Sequence, residues 1–287
     1  MEQSKQELLV AGHKTFMANA ASASYSKSYD FAFPFLLVNT VDVSIRLEDT
    51  ILSFKDGSYV VLPKGDALSY VDNVAHLLNL PTRPLVRTVM ANYKPFVQKL
   101  FKKPLIRDLE LFDLMIDTDR LINVSSKRAY HYRKTAQLTT LHDVTTPAQV
   151  QDCLEVLRQW STIGRNRPTE VQHVIDYLNN LTAIQRHSDY RVTALAVYAG
   201  ERCVAFAIGT LLKEGLWSCI ARMTLRDVDK RMLLDPYIWT ELAKRFLDCP
   251  LSNDGAGGGE GDSCHAHKVQ MGCVMDTNKV VNLRKAK

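Results

Sequence analysis

Three groups of residues have the types and spacing for chemistry or ligand binding. The segment "SSKRAYHYRKTAQL" places Lys127, Arg128, His131, Arg133 and Lys134 within eight residues. At about 100° per residue these charges spread round most of a helix rather than forming one stripe. The pattern has two readings: a solvated helix, or a phosphate-contacting surface with Tyr130 and Tyr132 available to stack. On the second reading Lys127, Arg128, Arg133 and Lys134 are nucleic-acid-binding candidates. Further on, Cys264, His265, His267 and Cys273 offer four soft or borderline metal ligands. Their Gly-rich setting and spacing fit no standard zinc pattern, so no metal is expected. A Cys–His nucleophile pair drawn from the same residues would lack an evident orienting partner. The chain ends in a third group, Arg284, Lys285 and Lys287.

The elements holding these residues belong to an ordinary folded chain. Its 287 residues are 46% hydrophobic, enough for one large domain or two smaller ones. A net charge of +5 permits an anionic partner such as RNA, a nucleotide or a lipid headgroup without requiring one. The six cysteines are scattered through apolar segments, which points to reduced thiols and a cytoplasmic setting. No segment approaches the roughly 18 continuous apolar residues of a spanning helix, and the first residues lack the pattern of an export signal.

From Phe31, "FPFLLVNT", "VSIRLEDTILSFKDG" and "SYVVLPKG" read as short strands of an antiparallel meander, with a turn at Gly57. A helix follows, with Asp66 as cap and Leu68, Val71, Val74, Ala75 and Leu78 at helical spacing. "RDLELFDLMID" reads as a strand that gives way to a helix start at Thr118 or Asp119. Thr146 and Pro147 open the clearest helix, whose face carries Val150, Cys153, Leu154, Leu157 and Trp160. "RPTEVQHVIDYLNNL" repeats the pattern, and "VTALAVYAGERCVAFAIGTL" is a hairpin whose second strand is rich in small residues. The strand "GLWSCIARMTL" and a helix capped by Asp235 come next. A Gly-rich loop at 252–267 then precedes a last strand, "HKVQMGCVM", and "DTNKVVNLRKAK" supplies a short helix or turn. Trp160, Trp217 and Trp239 fall at core positions.

The order of helix, helix, three strands and helix resembles the GCN5-related N-acetyltransferase (GNAT) fold. More narrowly, four stretches resemble the C-terminal domain of phosphatidylglycerol lysyltransferases, which carries two such units in tandem: "SSKRAYHYRKTAQL", "VYAGERCVAFAIGTL", "LLDPYIWTELAKRF" and "MGCVMDTNKVVNLRKAK". The resemblance covers roughly residues 30 to 287. It implies an α+β fold of two tandem GNAT-like units, each a mixed, mostly antiparallel sheet flanked by helices. Residues 1–30 would be an extension, 31–140 a first, degenerate unit, and 141–287 a second unit.

In that fold the acyl carrier lies where the fourth strand splays from the fifth, which the resemblance assigns to "CIARMTL" and "VQMGCVM". Ala205, Ala207 and Gly209 either admit a ligand or let a helix pack closely. Ordinary acetyltransferases of the superfamily follow the fourth strand with a Gly-containing loop, whose backbone N–H groups hold the CoA pyrophosphate. This chain reads "RDVDKRMLLDP" there, with no glycine and with acidic residues. The lysyltransferase relatives also lack that loop and use aminoacyl-tRNA. The resemblance therefore implies an acyl- or aminoacyl-transferase whose donor substrate is aminoacyl-tRNA or, alternatively, acyl-CoA. The acceptor is open among a small molecule, a peptide and a lipid. Arg222, Arg226, Lys230, Arg231, Arg284, Lys285 and Lys287 are the anion-binding candidates, and Asp276 is a polar site candidate; no general base stands out. Two other readings remain open: a catalytically silent binding module of the same fold, and a CoA-dependent N-acetyltransferase with an altered phosphate loop.

Overall fold

The computed structural model describes residues 4–5, 7–11, 33–62, 66–102, 105–123, 125–162, 168–186, 191–257 and 263–287. In chain order its first elements are α1 (Phe33–Asn39), β1 (Thr40–Arg46), β2 (Asp49–Phe54), β3 (Tyr59–Leu62), α2 (Ala67–Leu78), β4 (Val86–Met90), α3 (Lys94–Lys99) and β5 (Leu105–Asp117). Next come α4 (Thr118–Ile122), α5 (Ser126–Leu138), β6 (Thr140–Asp143), α6 (Pro147–Ser161), α7 (Pro168–Gln185), β7 (Val192–Ala199) and β8 (Arg202–Lys213). The chain closes with β9 (Leu216–Thr224), α8 (Arg226–Met232), α9 (Leu234–Ala243), β10 (Leu251–Gly257), α10 (Ser263–Met271) and β11 (Val274–Lys285). The fold is α+β, with two mixed sheets flanked by helices.

Contacts divide the chain into two compact units, Met1–Leu114 with Gly255–Lys287, and Met115–Asp254. This division differs from the sequence expectation of 31–140 and 141–287 at both ends. Residues 255–287 join the first unit because β11 hydrogen-bonds antiparallel to β4, with Val280 opposite Met90 and Val281 opposite Val89. Residues 115–140 join the second because α4 and α5 pack on α9, where Thr240 Oγ1 donates to the Leu121 carbonyl at 3.0 Å. Much of the expected extension, 1–30, lies outside the described residues.

In the first unit the strand order is β1-β2-β3-β4-β11-β5. The β1–β2–β3 part is the expected antiparallel meander, with Ile51 opposite Val61 and Leu52 opposite Val60. Gly57 takes φ 75°, the left-handed conformation the tight turn requires, and its N–H bonds the Phe54 carbonyl at 2.9 Å. Asp66 caps α2 by accepting from the Ser69 N–H at 2.8 Å. Val71, Val74, Ala75 and Leu78 are buried, whereas Leu68 is 74% exposed. "FPFLLVN" forms α1 rather than a strand, because a continuous apolar run of this length carries no period that separates the two. Likewise "SCHAHKVQM" is the helix α10, and "VMDTNKVVNLRK" is the strand, correcting both expectations for the closing segment.

In the second unit the order is β5-β10-β9-β8-β7-β6. Helix α6 opens with a full capping box: Thr146 Oγ1 accepts from the Gln149 N–H at 3.3 Å, and the Gln149 side chain accepts from the Thr146 N–H at 3.1 Å. It buries Val150, Cys153, Val156 and Leu157, and packs against α7. The expected hairpin is β7–β8, turning at Gly200 with φ 61°. Helix α9 lies on β7, β8 and β9. At Gly209 an added Cβ would stand 2.8 Å from the Phe246 ring and 3.1 Å from Leu242, so this small residue serves close helix packing rather than ligand entry. Trp217 and Trp239 are fully buried, as expected of core residues, and Trp217 stacks on Phe246 at 4.8 Å.

Candidate functional site

The strand beside β9 is β10, which forms within the segment expected to be a Gly-rich loop, and not "VQMGCVM". The two run parallel, and their pairing covers Leu251–Asn253 opposite Leu216–Ser218. β9 continues for six residues beyond Ser218, to Thr224. Against β8, the register of β9 shifts by one: Gly209 faces Cys219, whereas Ile208 faces Ala221. This bulge at Ile220 leaves one residue out of the ladder and reverses the side-chain alternation of the rest of the strand. Arg222, opposite Ala207, consequently shares the α9-facing side with Trp217 and Gly209.

There Arg222 meets two carboxylates. Its Nε donates to Asp235 Oδ1 at 2.6 Å, and its NH1 donates to Asp254 Oδ1 at 3.1 Å. The guanidinium lies 3.9 Å from the Trp239 ring centroid, a cation–π distance. The side chain is only 9% exposed. Burial alone would oppose its charge, but Asp235 and Asp254 outweigh that and hold the guanidinium above its ordinary pKa. On the same side of the sheet the buried Ser252 Oγ and Trp239 Nε1 have no hydrogen-bond partner. Buried polar atoms without partners are rare, and they mark places where a water or a ligand group completes the network.

The segment after β9, which the sequence resemblance sets against the glycine loop of acetyltransferases, forms the seven-residue α8. Leu233 connects it to α9 with φ 52°, ψ 52°, and has no side chain with which to cap the helix. Asp235, expected as the cap, instead sits inside the first turn and turns to Arg222. Arg226 is exposed on α8, while the Lys230 and Arg231 side chains lie outside the described residues.

The other sequence candidates are spread over both units. On α5, Arg133 and Lys134 are exposed, Arg128 is half-buried, and the Lys127 side chain is outside the described residues. Tyr130 is 58% exposed. Tyr132, expected to be free for stacking, is instead turned onto α9. It donates to Glu241, accepts from Lys244 Nζ at 2.6 Å, and packs against Tyr237 at 5.2 Å. Burial and then the Glu241 hydrogen bond raise the Tyr132 hydroxyl above its ordinary pKa. Arg284, Lys285 and Lys287 belong to the first unit, apart from the Arg222 group in the second. Lys285 Nζ donates to Asn79 Oδ1 at 2.6 Å; Arg284 and Lys287 are exposed. Asp276 is on β11, and its side chain is outside the described residues, as are those of Cys264 and His265. His267 is exposed and Cys273 buried; among the described residues no group of three or more His, Cys, Asp or Glu could hold a metal.

Sequence reasoning named Arg222 but missed both carboxylates that hold it. Asp235 was masked by its resemblance to a helix cap, and Asp254 by the glycines that come after it. The sequence carries no strand signal at Asp254, because "SND" consists of turn-forming residue types.

No family model matches this chain, and no curated protein matches it. Solved structures do. A conserved protein of unknown function from Bacteroides thetaiotaomicron aligns over 96% of this chain and 97% of its own, with TM-score 0.67 and 14% identity. The C-terminal domain of a candidate lysylphosphatidylglycerol synthetase from Agrobacterium fabrum aligns over 97% and 92%, with TM-score 0.59 and 10% identity. A tandem GNAT protein from the clavulanic acid biosynthesis pathway aligns over 82% and 77%, with TM-score 0.53 and 10% identity. At these identities the likeness is one of fold: the chain has the tandem GNAT-like α+β architecture found in lysylphosphatidylglycerol synthetase C-terminal domains and in tandem GNAT proteins.

Proposed function

We propose that this chain is a GNAT-fold transferase that moves an acyl group bearing an ammonium, with aminoacyl-tRNA as the donor. The observation that carries this reading is the charge at the β9–β10 opening. One guanidinium and two carboxylates leave a net charge of −1 on Arg222, Asp235 and Asp254. At an effective dielectric of about 20, a unit charge about 4 Å away feels on the order of 4 kcal/mol. The sign favours an aminoacyl ammonium and opposes a pyrophosphate. The glycine-free α8 agrees, since it provides no backbone cradle for CoA.

In the reaction an acceptor amine or hydroxyl attacks the ester carbonyl. The new bond forms at the acyl carbon, the ribose oxygen leaves, and it takes up the proton lost by the acceptor. The backbone freed by the bulge at Ile220 is suited to hold the carbonyl oxygen, while Asp235 and Asp254 orient the ammonium. Ser252 supplies a further polar contact. The exposed Arg133 and Lys134 of α5, with Tyr130 beside them, suit contact with the tRNA backbone. A cytoplasmic setting accords with the buried, reduced cysteines Cys153, Cys203, Cys219, Cys249 and Cys273.

Thermal unfolding tests the donor. An amide-linked, non-hydrolysable aminoacyl-tRNA at about 100 times its Kd should stabilise the protein by about 2.7 kcal/mol, with acetyl-CoA giving no shift. A shift with acetyl-CoA alone would establish the CoA-dependent reading instead, and no shift with either would leave a binding module of this fold.

A further inference from the structure

The first unit contains a pocket of about 550 Å³ that the proposed transfer does not use. It is built from the turn after α2, the residues after α3 and the end of β11. Of its nine lining residues three are cations, Arg83, Lys102 and Lys285, and none is acidic. Leu80, Leu100 and Phe101 add apolar surface, and Leu100 is 53% exposed. Three like charges around one pocket repel each other, and an occupant with more than one negative charge offsets that repulsion.

The backbone that carries Arg83 and the ammonium of Lys285 are held in place. Arg83 has φ 48°, a left-handed conformation that a non-glycine residue keeps only where its surroundings enforce it. Here its N–H closes the turn onto the Leu80 carbonyl at 3.0 Å. Lys285 is fixed by Asn79 Oδ1 at 2.6 Å and stands 5.5 Å from the Phe101 ring centroid. A site whose charges are positioned before the ligand arrives loses less entropy on binding.

We propose that this pocket binds an organic phosphate. Its phosphoryl oxygens accept from Arg83, Lys102 and Lys285, and its carbon portion lies against Leu80, Leu100 and Phe101. A carboxylate, with a single charge, leaves more of the three cations uncompensated than a phosphate monoester or diphosphate does. The same chemistry is presented by a soluble phosphate monoester and by the phosphomonoester headgroup of phosphatidic acid.

Titration of the intact chain separates these sources. One arm uses adenosine 5′-monophosphate at low salt; the other uses vesicles containing phosphatidic acid against vesicles of phosphatidylcholine alone. Binding is expected in at least one arm, falling at least tenfold in the double variant Arg83→Gln/Lys102→Gln and in Lys285→Gln, with thermal unfolding of the variants unchanged. Binding of the nucleotide identifies a soluble ester, and binding confined to the anionic vesicles identifies the headgroup. Absence of binding in both arms, or equal binding by wild type and the charge-removed variants, overturns the proposal. Neither result bears on the aminoacyl-tRNA reading, which rests on other residues.

Discussion

Arg222 shows how a residue can be legible in type and illegible in role. Its charge and its place near the end of a strand mark it as an anion ligand, but a single bulged residue at Ile220 rotates it onto two carboxylates. Sequence periodicity carries no sign of a bulge, so its effect could not be read in advance. Asp254→Ala should cost about 3 kcal/mol in urea unfolding, because it leaves a buried guanidinium with one partner fewer. An unchanged midpoint with an unchanged slope would show the triad to be energetically idle. Gly209→Ala should cost about 1–3 kcal/mol by crowding the Phe246 ring, again read from the unfolding midpoint. A pH test is available at the exposed Glu155, whose carboxyl is lowered to about 2 by Arg158 and then Gln159. Its folded value lies below its unfolded one, so its contribution is complete above about pH 4.5 and fades as pH falls toward 2. The stability difference between wild type and Glu155→Gln should shrink across that window; a constant difference would contradict the pairing.

Elements with strong local signals were legible. Asp66 and Thr146 both cap the helices their side chains announced, and the hairpin turning at Gly200 agrees with the apolar runs on either side of it. Thr146→Ala should lower stability by about 1 kcal/mol, measured by denaturant unfolding. Segments without a clear period were misread in both directions: Phe33–Asn39 is a helix, and Val274–Lys285 is a strand. For both segments the tertiary partner decides, and in β11 that partner is β4, which lies far earlier in the chain. Helix α5 was legible as a basic helix but not as one that commits Tyr132 to α9. Replacing Arg133 and Lys134 by Ala should weaken tRNA binding and reduce its salt dependence by about two phosphate contacts. An unaltered salt slope would remove α5 from the tRNA surface.

At the scale of the whole molecule, the tandem α+β plan was legible because the order of helices and strands can be followed in the apolar patterning. The division between the units was not, because it depends on which strand the last segment joins. The first unit is completed by residues 255–287, so the chain's last strand joins the sheet whose first strand opens at Thr40. The chemistry proposed for the second unit then rests on one feature of that unit, the net negative charge of Arg222, Asp235 and Asp254. The most direct measurement compares the affinities of one tRNA in its amide-linked aminoacylated and its uncharged forms, at fixed salt. The account predicts that the aminoacylated form binds at least tenfold tighter, with acetyl-CoA failing to compete. Equal affinity for the two tRNA forms, or displacement of the charged tRNA by acetyl-CoA, would contradict it.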